Sequence, residues 1–517
     1  MTLLKTSCEV STLRQLGWTI VQHTSAHGIP NVFRSRHWFR KLVWTAFVFF
    51  ALCCALWQCT EMVLTYFSYP SHDKITLISS AKLKFPAVTI CNLNSVRLSS
   101  LNRSFAMFTS LQDSGLEMAH RRNRSHIWNS SADFPDEYVQ YAGAFKKFAS
   151  EFNQLSDEQK TEMGHNLEDM LIFCNFHGQE CNTSFFSRFI NYKFGNCYTF
   201  NSQKTTDVEG NLISIEALNI TKAGFMYGLH LELFIQQIEY IRDMTHSAGI
   251  RLLIHDQSQM PFPEDEGVNI PPGAETDIGM MKVHIKRLKS PYESQCTEGE
   301  NVKNYYKDSY GAGYTREACK RTCAQQSIME NCGCSHWEFA SPKELHYTKC
   351  NLSTPGVRDC VELYEFKFAH DDLNCHCPLQ CMEELYELTV SGSQWPSTAF
   401  IGSFSRSLKA FRAFQIAQSS RRDNFVKVVV YFKQLNYELI EEEPSMTEID
   451  LISNMGGLVG LWVGFSVCTL AEFFELFIDV LLFFIQRCLR KAPPEVYRNP
   501  YLEKQRPGYI SCKTTTI

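Results

Sequence analysis

Between Leu451 and Ile485 the chain carries an apolar run too long for a globular core helix, with Glu472, Glu475 and Asp479 set inside it. A run of that length is expected to cross a membrane. The three acids are spaced i, i+3 and i+7 and so share one helix face, following Gly456, Gly460, Gly464 and Cys468 at steps of four. One stripe of the helix is therefore small, then acidic. Ionisable groups at membrane depth are expensive and face a bundle interior or a water-filled path, which points to an ion pathway. The competing reading is a seam of glycines for helix packing, with acids that have already emerged into water.

A second apolar run, Leu42 to Leu64, is long enough at 1.5 Å per residue to cross about 30 Å of hydrocarbon. Arg34, Arg36, Arg40 and Lys41 precede it, and Arg487, Arg490 and Lys491 follow the later run, so both termini are expected in the cytoplasm. Lying far from Met1 and lacking a small-residue cleavage site, Leu42 to Leu64 reads as a signal anchor that stays. The expected division is a cytoplasmic segment 1–41, a span 42–64, an extracellular domain 65–448, a second span 449–486 and a cytoplasmic tail 487–517. The tails are too short for a domain, and Pro493-Pro494 breaks the second of them. With 20% charged residues and a net charge of −5, nothing suggests a nucleic-acid partner.

Cysteine usage tests that topology independently. Of 21 cysteines, 14 fall between the two runs, an even number as a fully oxidised extracellular domain requires. Asn102, Asn123, Asn129, Asn182, Asn219 and Asn351 each begin an Asn-x-Ser/Thr sequon in the same segment. Cys332-Gly-Cys334 and Cys375-His-Cys377 with Cys381 could pass for zinc ligands in a cytosolic protein, but the sequons favour disulfides. No His-Glu-x-x-His, phosphate loop or Gly-x-Ser-x-Gly occurs, and His120, His165, His230 and His284 are scattered singly. An enzyme is not expected.

The intervening domain reads as α+β. Ser156 to Gln159 is a capping box that predicts a helix running through Leu171 and stopping near Gly178. Tyr314 to Met329 predicts another, with Cys319 and Cys323 one turn apart. Strands are expected over Gly228 to Ile235, Gly249 to His255, Met280 to Leu288 and Phe425 to Phe432, and a turn-rich loop over Pro261 to Pro272.

An ordered set of motifs now carries a resemblance: His27-Gly28, Phe85-Pro-Ala-Val-Thr-Ile-Cys-Asn92, Cys174-Asn-Phe-His-Gly-Gln-Glu-Cys181, Gly249-Ile-Arg-Leu-Leu-Ile-His-Asp256, Gln394-Trp-Pro-Ser397, Leu435-Asn-Tyr-Glu438, and Gly456-Gly457 through Gly464-Phe-Ser466. From residue 23 to about 480 the chain resembles the superfamily of epithelial sodium channels, degenerins and acid-sensing channels. The resemblance implies a trimer, homomeric or with related subunits, embedded in a lipid bilayer around a sodium-selective pore. It implies a hand-like, disulfide-rich extracellular domain between two transmembrane helices, block by amiloride-type compounds, and no cofactor beyond the permeant sodium ion. It also implies the pairs Cys91 with Cys197, Cys174 with Cys181, Cys296 with Cys381, Cys319 with Cys377, Cys323 with Cys375, Cys332 with Cys360 and Cys334 with Cys350.

Gly464, Phe465 and Ser466 resemble the family's selectivity filter. In a straight helix Gly464 and Ser466 would point about 200° apart, so a locally extended backbone is expected, breaking the second span. Ser453, Asn454, Gly456, Gly457 and Gly460 fall in the implied pore and gate, Glu472 and Glu475 beside the inner pore, and His27 and Gly28 in the motif that folds back beneath it. Leu435 and Asn436 resemble the gating linker. Glu441, Glu442 and Glu443 would place nine carboxylates around a trimer's axis, enough to concentrate cations.

The resemblance leaves the opening stimulus between an extracellular ligand such as a neuropeptide, protons, and constitutive opening. Glu239 and Glu362 match acid-sensing positions, but Ile238 and Phe366 stand where aspartates would be expected, and Pro70 and Ser71 replace a histidine pair beside His72. Tyr66 to Pro70, Ile254 to Gln257 and Ser453-Asn454 look closer to epithelial and peptide-gated members, which favours the extracellular ligand. A two-span, disulfide-rich receptor passing no current is the alternative of a different class, because an anchor needs neither a filter triplet nor buried acids.

Overall fold

A computed structural model describes residues 21, 24–25, 28–101, 148–206, 212–241, 244–342, 347–407, 422–464 and 466–489. The chain divides into two compact units, one of residues 1–72 with 444–517 and one of residues 73–443.

The first unit begins with α1 (Ile29–Arg34), which has Pro30 in its first turn, and α2 (Trp38–Phe67). Among the described residues, α2 is the one helix long and apolar enough by itself to cross a membrane. Its 30 residues extend the expected span at both ends.

The second unit is built on two sheets. In the eight-stranded sheet the order is β1 (Ser71–Ser79), β11 (Asn436–Pro444), β8 (Ala274–Lys286), β10 (Phe425–Phe432), β6 (Leu229–Phe234), β3 (Leu171–Phe176) and a short edge at Gln179–Glu180, while β9 (Met382–Gln394) covers the other edge of β8. β8 thus has one antiparallel partner along all 13 residues and two parallel partners in succession on its opposite side, β10 over Glu275–Met280 and β11 over Val283–Lys286. The five-stranded sheet runs Val268–Ile270, β7 (Ile250–His255), β2 (Ala87–Asn92), β5 (Gly195–Phe200) and β4 (Phe186–Asn191). Alternate residues of these strands, such as Leu229, Leu231 and Leu233 or Ile250, Leu252 and Ile254, meet Val88, Ile90, Phe200, Val428 and Phe432 in one core shared by both sheets.

The capping box at Ser156 forms, with Gln159 as its reciprocal partner, but its helix is only α3 (Asp157–Met163). The expected continuation fails at Gly164. There Asn196 donates its amide to the carbonyls of Thr161 and His165, and a Cβ on Gly164 would lie 2.6 Å from that amide nitrogen. A single turn, Leu167–Met170, precedes β3.

Thr315 caps α4 (Arg316–Cys332) by accepting from the Ala318 N–H, and Gly333 closes it in the left-handed region. α5 (Pro355–Ala369) packs against it over Ala324, Ile328, Phe339 and Val361. Disulfides join Cys319 to Cys377, Cys323 to Cys375, Cys332 to Cys360 and Cys334 to Cys350 around these helices. Cys296–Cys381, Cys91–Cys197 and Cys174–Cys181 complete the seven. The core is thin here, and cross-links that restrict the unfolded chain supply what it lacks.

The second apolar run returns to the first unit as two helices, α6 (Glu448–Val463) and α7 (Val467–Leu489). α6 packs along α2, where the Trp462 indole donates to Gln58 Oε1 at 2.8 Å and meets the Phe50 ring edge-on.

Candidate functional site

The interruption between α6 and α7 coincides with the predicted filter. α6 starts on a Thr447–Asp450 capping box, carries Ser453, Asn454, Gly456, Gly457 and Gly460, and ends with the Gly464 N–H donating to Gly460 O. Gly464 sits at φ 70°, ψ 23°, the left-handed region, in place of the extended backbone expected from the roughly 200° between Gly464 and Ser466 in a straight helix. A left-handed residue reverses the carbonyl direction within one step, and any L side chain there costs roughly 1–2 kcal/mol. Phe465 lies outside the described residues, and Ser466 is non-helical before α7 begins.

Thr469, which sequence reasoning did not single out, organises this break. Its side chain is wholly buried. Its hydroxyl accepts from the Ser466 N–H at 3.1 Å, lies 3.4 Å from both Gly464 O and Ser466 Oγ, and is 2.7 Å from Ser25 Oγ. One hydroxyl has one proton and two lone pairs, so these contacts share it, with the Ser25 contact the shortest. The Ser25 N–H in turn donates to both oxygens of the Glu472 carboxylate, at 3.1 and 3.3 Å. The segment before α1 is therefore tied both to the turn at Gly464 and to the first acid of the run. A Thr one turn past Gly-Phe-Ser, among apolar residues ahead of Glu472, was the available signal.

His27 lies outside the described residues, but Gly28 is at φ 84° beneath α2, where a Cβ would fall 2.6 Å from Val48 Cγ2. Only glycine meets both conditions. Glu475 and Asp479 are exposed on α7.

Leu435 and Asn436 stand where β8 exchanges one parallel partner for the next. Lys433 N donates to Met280 O at 3.0 Å, the end of the β10 ladder, and Ser80 N donates to Leu435 O at 3.3 Å. Leu435 packs half-buried against the main core, and Asn436 opens β11. The linker is thus a gap in a ladder, held by two single hydrogen bonds.

Glu441, Glu442 and Glu443 do not stand free. Glu441 is 3.4 Å from Lys286, Glu442 accepts from Leu288 N and Ser294 Oγ, and Glu443 is 2.7 Å from Lys74. Partners in the same unit neutralise much of the expected acidic concentration. The acid-sensing positions are likewise used otherwise. Glu239 accepts from the Ser99 N–H at 2.9 Å, while Glu362, Ile238 and Phe366 are exposed. Elsewhere in this sheet burial pushes the Glu384 carboxyl up, but hydrogen bonding and charge from His284 and Lys282 outweigh it and hold the group at about 2. His72 Nδ1 lies 3.4 Å from Ser445 Oγ.

Of the sequon asparagines, Asn182 and Asn351 are exposed and Asn219 is half-buried, its amide donating to Ala217 O, while Asn102, Asn123 and Asn129 lie outside the described residues.

Comparison with known proteins agrees along nearly the whole chain. The family described as Amiloride-sensitive sodium channel matches residues 20–476. The gamma subunit of the epithelial sodium channel of Pelodiscus sinensis is 27% identical, over 92% of this chain and 81% of that protein. The Homo sapiens gamma subunit is 26% identical over 94% and 85%, and the Neoceratodus forsteri alpha subunit 27% identical over 89% and 78%.

Proposed function

Because this chain belongs to the amiloride-sensitive sodium channel family, we propose that it is a pore-forming subunit of a sodium-selective, amiloride-blocked cation channel in the plasma membrane, assembled as a homotrimer or with related subunits. In this reading α6 and α7 cross the bilayer as one broken helix, and both termini are cytoplasmic. The observation that carries it is the left-handed turn at Gly464, braced by Thr469 and through it by Ser25. An anchor helix gains nothing from such a break, whereas a pore gains backbone carbonyls freed from the helix ladder, able to replace part of a sodium ion's hydration shell.

Substituting Ser466 or Gly464 is expected to shift the sodium-over-potassium permeability ratio while surface expression persists. Reversal potentials measured in oocytes decide it, and normal currents with an unchanged ratio would place selectivity elsewhere. A surface-expressed wild-type chain that passes no amiloride-sensitive current, alone or with epithelial subunits, would favour the non-conducting receptor.

Gating by an extracellular ligand such as a peptide is the stimulus we favour over protons. Glu239 is engaged as a backbone cap, and Glu384, held by His284 and Lys282, stays ionised far below neutral pH. Steps of pH and a peptide panel under voltage clamp separate these stimuli from constitutive opening. Leu435→Ala, which loosens the ladder gap, should change current decay or sustained current and leave selectivity alone. A change of 1.4 kcal/mol between conducting and non-conducting states would alter their ratio tenfold. Peak and sustained currents identical to wild type would remove the linker from gating.

A further inference from the structure

A second constellation lies in the 73–443 unit, in the segment that follows α4 and on the face of α5 turned toward it. The His336 side chain is wholly buried, yet among the described residues neither ring nitrogen has a hydrogen-bond partner. An imidazole in a core normally has both nitrogens satisfied, so this ring is aimed at something else. Its Nε2 is 3.3 Å from Glu365 Oε1, and one donor atom each from His336, Glu338 and Glu365 all lie within 4.8 Å of one another. Ligands at about 2.1 Å in a tetrahedral shell are roughly 3.4 Å apart, so the His336–Glu365 edge already has that length and Glu338 has only a short way to close.

We propose that His336, Glu338 and Glu365 bind a divalent transition-metal ion, Zn²⁺ by the chemistry of one imidazole and two carboxylates, with water in the fourth position. The surroundings pre-position each ligand. The His336 backbone is clamped at both ends by the buried Gln325 amide, its N–H donating to Oε1 at 3.0 Å and its carbonyl accepting from Nε2 at 3.1 Å. Two residues before it, Cys334 is bonded to Cys350, and its ring packs on Trp337 and Phe339. Glu365 is fixed by α5, which the Cys332–Cys360 disulfide fastens to the end of α4. Glu338 accepts the Tyr192 hydroxyl at 3.0 Å, the kind of outer hydrogen bond that orients a ligating carboxylate, and it lines a cavity of about 740 Å³ that supplies an entry path. A bound ion would join α5, the segment after α4 and, through Tyr192, the β4–β5 hairpin.

The rival explanation is a simple ion pair of protonated His336 with Glu365, which leaves Nδ1 and the approach of Glu338 without a purpose. Full-length protein in detergent, stripped with a chelator, separates the two. Equilibrium dialysis should find one Zn²⁺ per chain, and Co²⁺ in its place should give the visible absorption of a tetrahedral site. Glu365→Gln and His336→Ala should each weaken Zn²⁺ binding at least about tenfold, and Tyr192→Phe by about as much as outer-shell changes do elsewhere, tenfold or more. Counting free thiols keeps the result interpretable, because a variant with the disulfides of wild type has kept its fold. Absence of Zn²⁺ binding to the wild type, or undiminished binding to Glu365→Gln with its disulfides intact, overturns the site.

Discussion

Replacing Arg321 with methionine is expected to destabilise the 73–443 unit by about 3–5 kcal/mol, enough to remove most of the protein from the cell surface. The Arg321 side chain is 2% exposed, 3.0 Å from Glu264, paired with Asp265, and 2.9 Å from Glu317 one turn back on α4. Its guanidinium also lies over the Phe262 ring, 4.4 Å from the centroid. Burial alone would depress its charge, but the surrounding carboxylates hold it firmly protonated. Methionine fills the space and leaves Glu264, itself 4% exposed, without its cation. Adding Glu264→Gln should restore part of the loss, since the neutral amide has no charge to compensate and Asn191 remains within reach of it. Surface biotinylation and thermal melting of the purified protein measure both. A single variant with wild-type surface density and melting temperature would show the pair to be dispensable.

Acid is expected to weaken the same unit between about pH 6.5 and pH 4, through two buried histidines. Burial depresses both His165 and His255 to about 4. In each, the hydrogen bonds fix a neutral tautomer. Asn94 donates to His165 Nε2 while Nδ1–H donates to Gln236, and Thr89 donates to His255 Nε2 while Nδ1–H donates to the Asp256 carbonyl. The unfolded chain protonates these rings near 6.5 and the folded chain does not. Their stabilising effect is therefore complete above 6.5 and is lost as pH falls toward 4, by up to about 3 kcal/mol each. Melting temperatures of the full chain in detergent should drop across this window, and His255→Gln should flatten the dependence. A melting temperature that does not move between pH 7 and 4.5 would mean that these rings are accessible to protons in the fold.

What could be read from the residues follows from how local each determinant is. The capping box at Ser156, the strands with period two, and the α4 helix are set by neighbours a few positions away, and they stand close to where the sequence predicts them. The helix expected to continue past Met163 stops because Asn196, distant in sequence, takes its carbonyls, which no local pattern contains. The acids at Glu441–Glu443 look like a free cluster until Lys74 and Lys286 arrive from elsewhere in the chain. The place of the helix break was legible from Gly-Phe-Ser, but its left-handed conformation was not, because a change in side-chain direction admits more than one backbone solution. The disulfide order came from resemblance, since 14 cysteines alone admit far too many pairings to choose among.

The neighbouring positions of β1 and β11 bear on how the protein is made. They are adjacent strands of one sheet, yet about 360 residues separate them, and β11 leads directly into α6. At ribosomal speeds of 5–20 residues per second, β1 waits roughly 20–70 s for its partner to be synthesised. In the proposed topology, an unpaired strand edge and a set of unmatched thiols are exposed together throughout that interval in the compartment where oxidation occurs. Closure of the sheet is therefore one of the last events of biosynthesis, and a nascent chain truncated before residue 436 should remain bound to lumenal chaperones instead of leaving the endoplasmic reticulum.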